Sequence, residues 1–216
     1  MEKPGYPADW GLRVRRLCSV LIAAMLLSFA NPIRVSACAC CSDPGMRIES
    51  AEDMNQYERG ELSRLRFEET AQLFASPVFP EDIKGIVAPS DEPYSFRGVM
   101  GPTRWTFELA DSAGKQGIIV FPLPLRLVKF VVDPRDEEAT SPGRGPRLYK
   151  EWRLESTAGL SGIVAQGNNQ AHATLILHGH GNGCTSAEDF THWTLMIRGP
   201  GVRFTLLGKL GNESTP

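Results

Sequence analysis

Residues 191–208, THWTLMIRGPGVRFTLLG, contain two runs in which apolar and polar side chains alternate. The tripeptide Gly199-Pro200-Gly201 lies between the runs and is typical of a turn. The apolar positions are Trp193, Leu195, Ile197, Val202, Phe204 and Leu206. Side chains on a strand point alternately to its two faces, so this period predicts strands with one buried and one wet face.

Similar alternation recurs along residues 64–210. It is clear in TRWTFELA, residues 103–110, and weaker in LYKEWRLE, residues 148–155, because Lys150 interrupts the apolar face. Further strands are predicted at Leu65–Leu73, Ile83–Val87, Tyr94–Val99, Gly117–Phe121, Leu125–Val132, Gly159–Val164 and Ala171–His178. No long helical period separates these runs, which disfavours a parallel α/β sheet. We therefore expect an all-β fold, a single antiparallel β-barrel or β-sandwich of about eight to ten strands.

The first 37 residues are organised like a secretory signal peptide. Basic residues precede an apolar run, Leu17 to Ala30, which is shorter than the ~20 residues of a membrane-spanning helix. Small residues, Val35-Ser36-Ala37, follow as a cleavage site, although an uncleaved membrane anchor is the alternative. These features predict export to the periplasm, the cell surface or the medium.

Residues 35–38, VSAC, also resemble a bacterial lipoprotein box, in which the cysteine is acylated. Asn31, Pro32 and Arg34 interrupt the apolar run just before this box, and such signals usually stay apolar there. Lipidation of Cys38 is therefore an alternative to plain cleavage. An N-terminal lipid would be the protein's only attachment to a membrane.

The chain divides by composition into a signal peptide (1–37), a polar Cys-rich tether with room for a short helix (38–63), a β domain (64–210) and a disordered tail (211–216). Removing the signal takes away five of the 23 basic and two of the 25 acidic residues, which leaves a net charge of −5. A mildly acidic chain without a basic run argues against nucleic-acid binding. It argues equally against electrostatic docking on an anionic membrane.

The stretch HGHGNGC, residues 178–184, holds two of the four histidines. If strands 171–178 and 191–198 pair so that both apolar faces agree, His178 lies opposite His192, with a two-residue slip as the other solution. Directly opposed residues have Cβ atoms ~5 Å apart, close enough for two imidazoles to share a metal ion. We expect the glycines after His178 to begin a connection with sharp turns and positive φ angles.

Our first functional hypothesis is a non-catalytic binding or structural role without a cofactor. After cleavage, Cys184 is the only cysteine far from the N-terminal cluster of Cys38, Cys40 and Cys41. In an oxidising compartment we expect Cys184 to form a disulfide with one of these three. A second bond between Cys40 and Cys41 would be strained because these residues are adjacent, and one between Cys38 and Cys40 would be only slightly less strained.

The second hypothesis is a Cu- or Zn-binding exported protein. Its ligands would be the N-terminal cysteine cluster together with His178, His180, Cys184 and His192, because imidazole and thiolate suit both metals. The spacing of the histidines matches no His-Glu-x-x-His motif. A plain structural role for these histidines, at the end of a hairpin, is the competing interpretation.

The third hypothesis is a hydrolase. Its nucleophile would be Cys184, with His180 or His192 as the base, or Ser186 with His192, and Asp189 would orient the histidine. No Gly-x-Ser-x-Gly elbow accompanies these residues. The ligand, the partner and the oligomeric state cannot be predicted from the sequence.

Overall fold

The structure is a computed structural model, which describes residues 44–75, 83–87, 92–135, 147–165 and 169–211. Its strands are β1 (Arg47–Asp53), β2 (Thr70–Leu73), β3 (Tyr94–Met100), β4 (Arg104–Ala110), β5 (Gln116–Pro122), β6 (Arg126–Val132), β7 (Leu148–Gly162), β8 (Gln170–Gly181), β9 (Phe190–Gly199) and β10 (Val202–Lys209). Eight of them form a closed antiparallel barrel in the order β2-β3-β4-β5-β7-β8-β9-β10, and β10 pairs back onto β2. The all-β prediction is confirmed, and the architecture is a barrel rather than a sandwich.

Strand β7 is 15 residues long and has two successive neighbours on one side. Its first half pairs with β6 and its second half with β5, so β5 and β6 run in the same direction. Pro122 is the last residue of β5, and Pro124 lies between the two strands, where proline offers no N–H to continue a ladder. The predicted strands 148–155 and 159–164 are therefore parts of one strand, while β6 and β1 extend beyond the barrel.

Aromatic side chains fill the barrel interior. The ring of Phe67 lies 5.3 Å from that of Phe107 and 5.6 Å from that of Trp193, measured between centroids. Glycines face two of these rings, since a Cβ atom at Gly98 or Gly208 would overlap Phe67 or Trp193 respectively. The interior is thus a packed core, as in small barrels whose side chains occupy the lumen.

Lys150, which weakened the prediction of its strand, does face the interior. It is 5% exposed, and its ammonium lies 2.6 Å from the Asp189 carboxylate and donates to the Cys184 carbonyl. Asp189 belongs to the β8–β9 connection, which folds over this end of the barrel. A buried charge is tolerated in a core position when it is paired and hydrogen-bonded in this way.

The described residues of the predicted polar tether, 44–63, contain β1 and all but the last residue of a helix, α1 (Gln56–Arg64). A capping box begins α1, in which the side chains of Asn55 and Glu58 each accept from the other's backbone N–H. Leu62 and Leu65 pack into the core, and Glu58 pairs with Lys129 of β6 at 2.7 Å. The predicted signal peptide (1–37), residues 38–43 and residues 212–216 lie outside the described residues, so those boundaries stay predictions.

Two predicted strands differ from the structure. Residues 83–87 form only a bridge, between Lys84 and Arg203, because Gly85 turns the chain with a φ of 76° against Val202. Of residues 65–73, only β2 is a strand, since the chain before it directs Phe67 into the aromatic core. In the described part of the chain, no helix has the length and apolar character needed to span a membrane.

Candidate functional site

His178 of β8 and His192 of β9 lie directly opposite each other, as predicted. Their ring centroids are 5.6 Å apart and the ring planes are inclined by 23°, so the two imidazoles are stacked. The register shifts immediately beyond the pair, where Gly179 pairs with Phe190 and Thr191 is the extra residue of a bulge. The hydroxyl of Thr191 is 2.9 Å from Nδ1 of His192.

The histidine pair belongs to a row of polar side chains across four strands. Glu151 of β7 lies opposite His178, and Lys209 of β10 lies opposite His192. Beside this row, the Tyr149 hydroxyl donates to Glu151 and the Tyr149 ring lies 5.5 Å from that of His180. The outer face of the barrel therefore carries a carboxylate, two stacked imidazoles and an ammonium in sequence.

A groove of about 480 Å³ runs along the outer face at this row. Small-molecule sites commonly enclose ~300–1,000 Å³, so the groove is large enough to bind a small ligand. Its polar and apolar lining includes Glu68, Gln72, His178, His192, Leu207 and Lys209. Glu68 and Gln72 were missed in the sequence, because only the closure of β10 onto β2 brings them to the histidines.

The glycines of HGHGNGC have a different role from the one we predicted. Strand β8 continues to Gly181, and none of Gly179, Gly181 and Gly183 has a positive φ. A Cβ atom at Gly179 would collide with the Asp189 backbone, and one at Gly181 would collide with the Asp189 carboxylate. The alternation thus places glycines on the inner side, where the β8–β9 connection approaches, and histidines on the outer side.

Burial and neighbouring charges alter two ionisable groups of the site. Partial burial lowers the pKa of His178, repulsion from His192 and His180 lowers it too, and the Glu151 carboxylate opposes both effects. Burial raises the pKa of Tyr149, and its hydrogen bond to Glu151 acts in the same direction. The lowered pKa favours the neutral form of His178, the form in which imidazole binds metals.

The structure brings only part of the predicted metal-ligand set together. His178 and His192 are adjacent, whereas His180 lies against Tyr149 and Cys184 is exposed in the loop after β8. Among the described residues, no group of three or more His, Cys, Asp or Glu side chains is placed to hold a metal ion. Cys38, Cys40 and Cys41 lie outside the described residues, so the disulfide and the cysteine cluster stay predictions.

The residues of the predicted hydrolase face different sides of the sheet. The Asp189 carboxylate is directed to Lys150 at the inner side, whereas His178, His180 and His192 belong to the outer side. Ser186 caps the short 3₁₀ turn Ala187–Asp189, where its hydroxyl accepts from the Glu188 N–H at 3.4 Å. Within the described residues, the pairing of Asp189 with Lys150 replaces the pairing with histidine that a triad requires.

The arrangement supports binding more directly than it supports catalysis. An ammonium and two imidazoles can donate hydrogen bonds to an anionic group, and Glu68 can accept from a cationic or hydroxyl group. In comparisons with known proteins, no family model, no curated protein and no solved structure matches the chain.

Proposed function

We propose that the protein is an exported, non-catalytic binding domain whose ligand occupies the outer groove between β2, β10, β9 and β8. The main support is the filled interior, where the rings of Phe67, Phe96, Trp105, Phe107 and Trp193 occupy the space in which hollow barrels hold a ligand. Concave space with converging polar groups occurs instead on the outer face. Export is supported by the basic, then apolar, then small-residue order of residues 1–37.

The groove favours a small polar ligand that carries a carboxylate. Lys209 supplies a positive charge, and His178 and His192 add imidazole N–H groups that can donate hydrogen bonds. Glu68 supplies the one carboxylate in the groove lining, and half-buried Leu207 offers apolar contact. Because charge-assisted hydrogen bonds to a carboxylate are stronger than neutral ones, this side of the ligand would set its orientation.

Binding can be tested by NMR titration of the isotope-labelled protein with a panel of mono- and dicarboxylic acids. We expect shifts at His192, Thr194 and Leu207, and we expect Lys209→Gln to weaken them at least several-fold. A second surface groove of about 330 Å³, beside Arg97 and Glu108, supplies the control variant, Arg97→Gln. Ligand-induced shifts that Arg97→Gln weakens and Lys209→Gln leaves unchanged would show that this function is wrong. The absence of shifts at millimolar ligand would show the same.

Binding of Cu or Zn is the second candidate, and the stacked pair of His178 and His192 favours it. Two imidazoles on adjacent strands leave coordination positions that water or a ligand carboxylate can fill. Calorimetric titration with Zn should lose one site when both histidines are changed to alanine and keep it in His172→Ala, a histidine of the same strand outside the pair. Repeating the titration after alkylation of the cysteines separates this site from the thiols, and unchanged binding by the double variant would eliminate it.

We also propose that a disulfide joins Cys184 to one of Cys38, Cys40 and Cys41. The support is that the segment after the cysteine cluster returns to the Cys184 loop, where the Tyr57 hydroxyl of α1 donates to the Thr185 carbonyl. Such a bond would stabilise the fold by several kcal/mol in the chain-entropy model. Intact mass of the exported protein with and without reductant would show the two hydrogens gained, and equal masses would contradict the bond.

A further inference from the structure

Strand β1 forms the outer edge of the sheet, and of the strands that the structure describes it pairs with β6 alone. Two hydrogen bonds show which residues of β1 direct their backbone groups to β6. The Met54 N–H donates to the Leu125 carbonyl (2.7 Å), and the Asp133 N–H donates to the Met46 carbonyl (2.9 Å). Even-numbered residues of β1 therefore direct their backbone groups to β6, because these groups alternate along an antiparallel strand. Residues 47, 49, 51 and 53 direct their N–H and C=O groups to the open edge.

We propose that two copies of the chain associate by antiparallel pairing of their β1 edges, with Ser50 opposite Ser50 of the second copy. An unpaired edge is a template for another strand, and its own copy supplies one of matching length. Four odd-numbered residues on each strand would form four hydrogen-bonded pairs, or about eight backbone hydrogen bonds. This interface is separate from the groove, so the proposal does not depend on the proposed function.

The charged side chains of β1 favour this register over the two registers on either side of it. With Ser50 on the two-fold axis, Arg47 lies opposite Asp53 of the second copy twice, and Glu49 lies opposite Ala51. With Glu49 on the axis, two carboxylates oppose each other, and with Ala51 on the axis, Glu49 opposes Asp53 twice. Opposite charges across strands stabilise a pair by ~0.2–1 kcal/mol and like charges destabilise it, so of these three registers only the Ser50 register brings opposite charges together without opposing like charges.

The edge is accessible along its length. Every side chain of β1 is exposed except that of Ser50, which is half-buried, and Ile48 keeps 48% of its surface. The Arg126 guanidinium lies 3.3 Å from the Ala51 carbonyl, a long contact on an exposed surface that strand pairing would replace. The interface is smaller than the ~1,200 Å² of a stable complex, so we expect a dissociation constant on the order of 100 μM.

Sedimentation velocity of the full chain from about 5 to 500 μM tests the association. Arg47→Asp and Asp53→Arg should each weaken it at least five-fold, because each creates two like-charge pairs. The double charge exchange in one chain should restore it, and a mixture of the two single variants should form a heterodimer.

A chain that stays monomeric throughout the series would overturn the proposal. Association that the single variants leave unchanged would place the interface elsewhere, and failure of the double exchange to restore it would exclude the Ser50 register. Asp53→Arg places an arginine opposite Arg126 of β6, so thermal unfolding must show that this variant is folded. Arg47→Asp, opposite Val132, tests the same pair without that complication.

Discussion

The ammonium of Lys150 lies 2.6 Å from the Asp189 carboxylate at the inner side of the barrel end. Their side chains keep only 6% and 15% of their surface, and the Cys184 carbonyl accepts a further hydrogen bond from the same ammonium. A strand residue that faces the core thus holds both ends of the connection between β8 and β9. Because the pair is shielded from water, each charge depends on the other for its stability.

We expect Lys150→Met to lower the free energy of unfolding by about 3 kcal/mol, because it leaves the Asp189 carboxylate without its cation. Denaturant unfolding followed by tryptophan fluorescence measures this loss. The double variant with Asp189→Asn should lose less than the two single losses together. Lys115→Met, in the exposed turn between β4 and β5, is the matched control and should change stability by less than about 0.5 kcal/mol.

Helix α1 is held to the same connection by Glu61. Its carboxylate accepts from the Ala187 N–H at 2.6 Å and from Arg64 at 3.1 Å, and Arg64 also reaches Glu188. Glu61→Ala removes a buried acceptor, so we expect a loss of about 1–3 kcal/mol and faster amide exchange in residues 56–64 and 184–189. Arg64→Ala removes a guanidinium that is itself about half exposed and leaves Glu61 its bond from the Ala187 N–H, so it should cost less than ~1 kcal/mol, and equal effects of the two changes would contradict this account.

The glycine at position 181 should be far less tolerant than the glycine at position 60. An added methyl group at Gly181 would collide with the Asp189 carboxylate, so we expect Gly181→Ala to destabilise the protein by about 1–3 kcal/mol. Gly60 lies in α1 with nothing within 4 Å of an added Cβ, and Gly60→Ala should stabilise it by about 0.4–1 kcal/mol. Thermal unfolding of both variants gives the comparison, and a stabilising Gly181→Ala would show that the loop does not pack as described.

The local part of the site could be predicted from the sequence. The buried faces of β8 and β9 are marked by Leu175, Leu177, Trp193 and Leu195, and a one-residue slip would expose one of these faces. That constraint left the observed register, with His178 opposite His192, and the registers shifted from it by two residues.

The closing contact could not be predicted in the same way. Leu206 of β10 pairs with Leu73 of β2, and an alternating pattern identifies a buried face without identifying its partner strand. The groove residues Glu68 and Gln72 were missed for that reason. Strand β1 escaped detection because it is exposed on both faces and so shows no alternation.

Two other features depend on contacts that single positions do not reveal. An inward-facing lysine interrupts the alternating pattern of a buried strand, and the pattern does not show that its counter-ion, Asp189, lies in a loop. The glycines at 179 and 181 suggested turns, but their absent side chains leave space for that same loop. In both cases the β8–β9 connection, which packs against the strand, determines which residue the strand position can hold.

Protonation of His178 should make the folded protein less stable in mild acid. The fold lowers the pKa of His178 below its ordinary 6.5, so between the folded pKa and 6.5 the unfolded chain binds more protons. Stability therefore rises with pH across that window, and this contribution is lost as the pH falls from about 6.5 to the folded pKa. Unfolding free energies measured between pH 5 and 8 should show the rise, and His178→Asn should flatten it.

The two neighbours of His178 should shift its pKa in opposite directions. His192→Ala removes a repelling neighbour and should raise the pKa, whereas Glu151→Gln removes an attracting carboxylate and should lower it further. NMR titration of the His178 imidazole in each variant measures both shifts, with His172→Ala as the control that should cause neither. A pKa that does not rise in His192→Ala would contradict the repulsion from His192, and a pKa that does not fall in Glu151→Gln would contradict the attraction by Glu151.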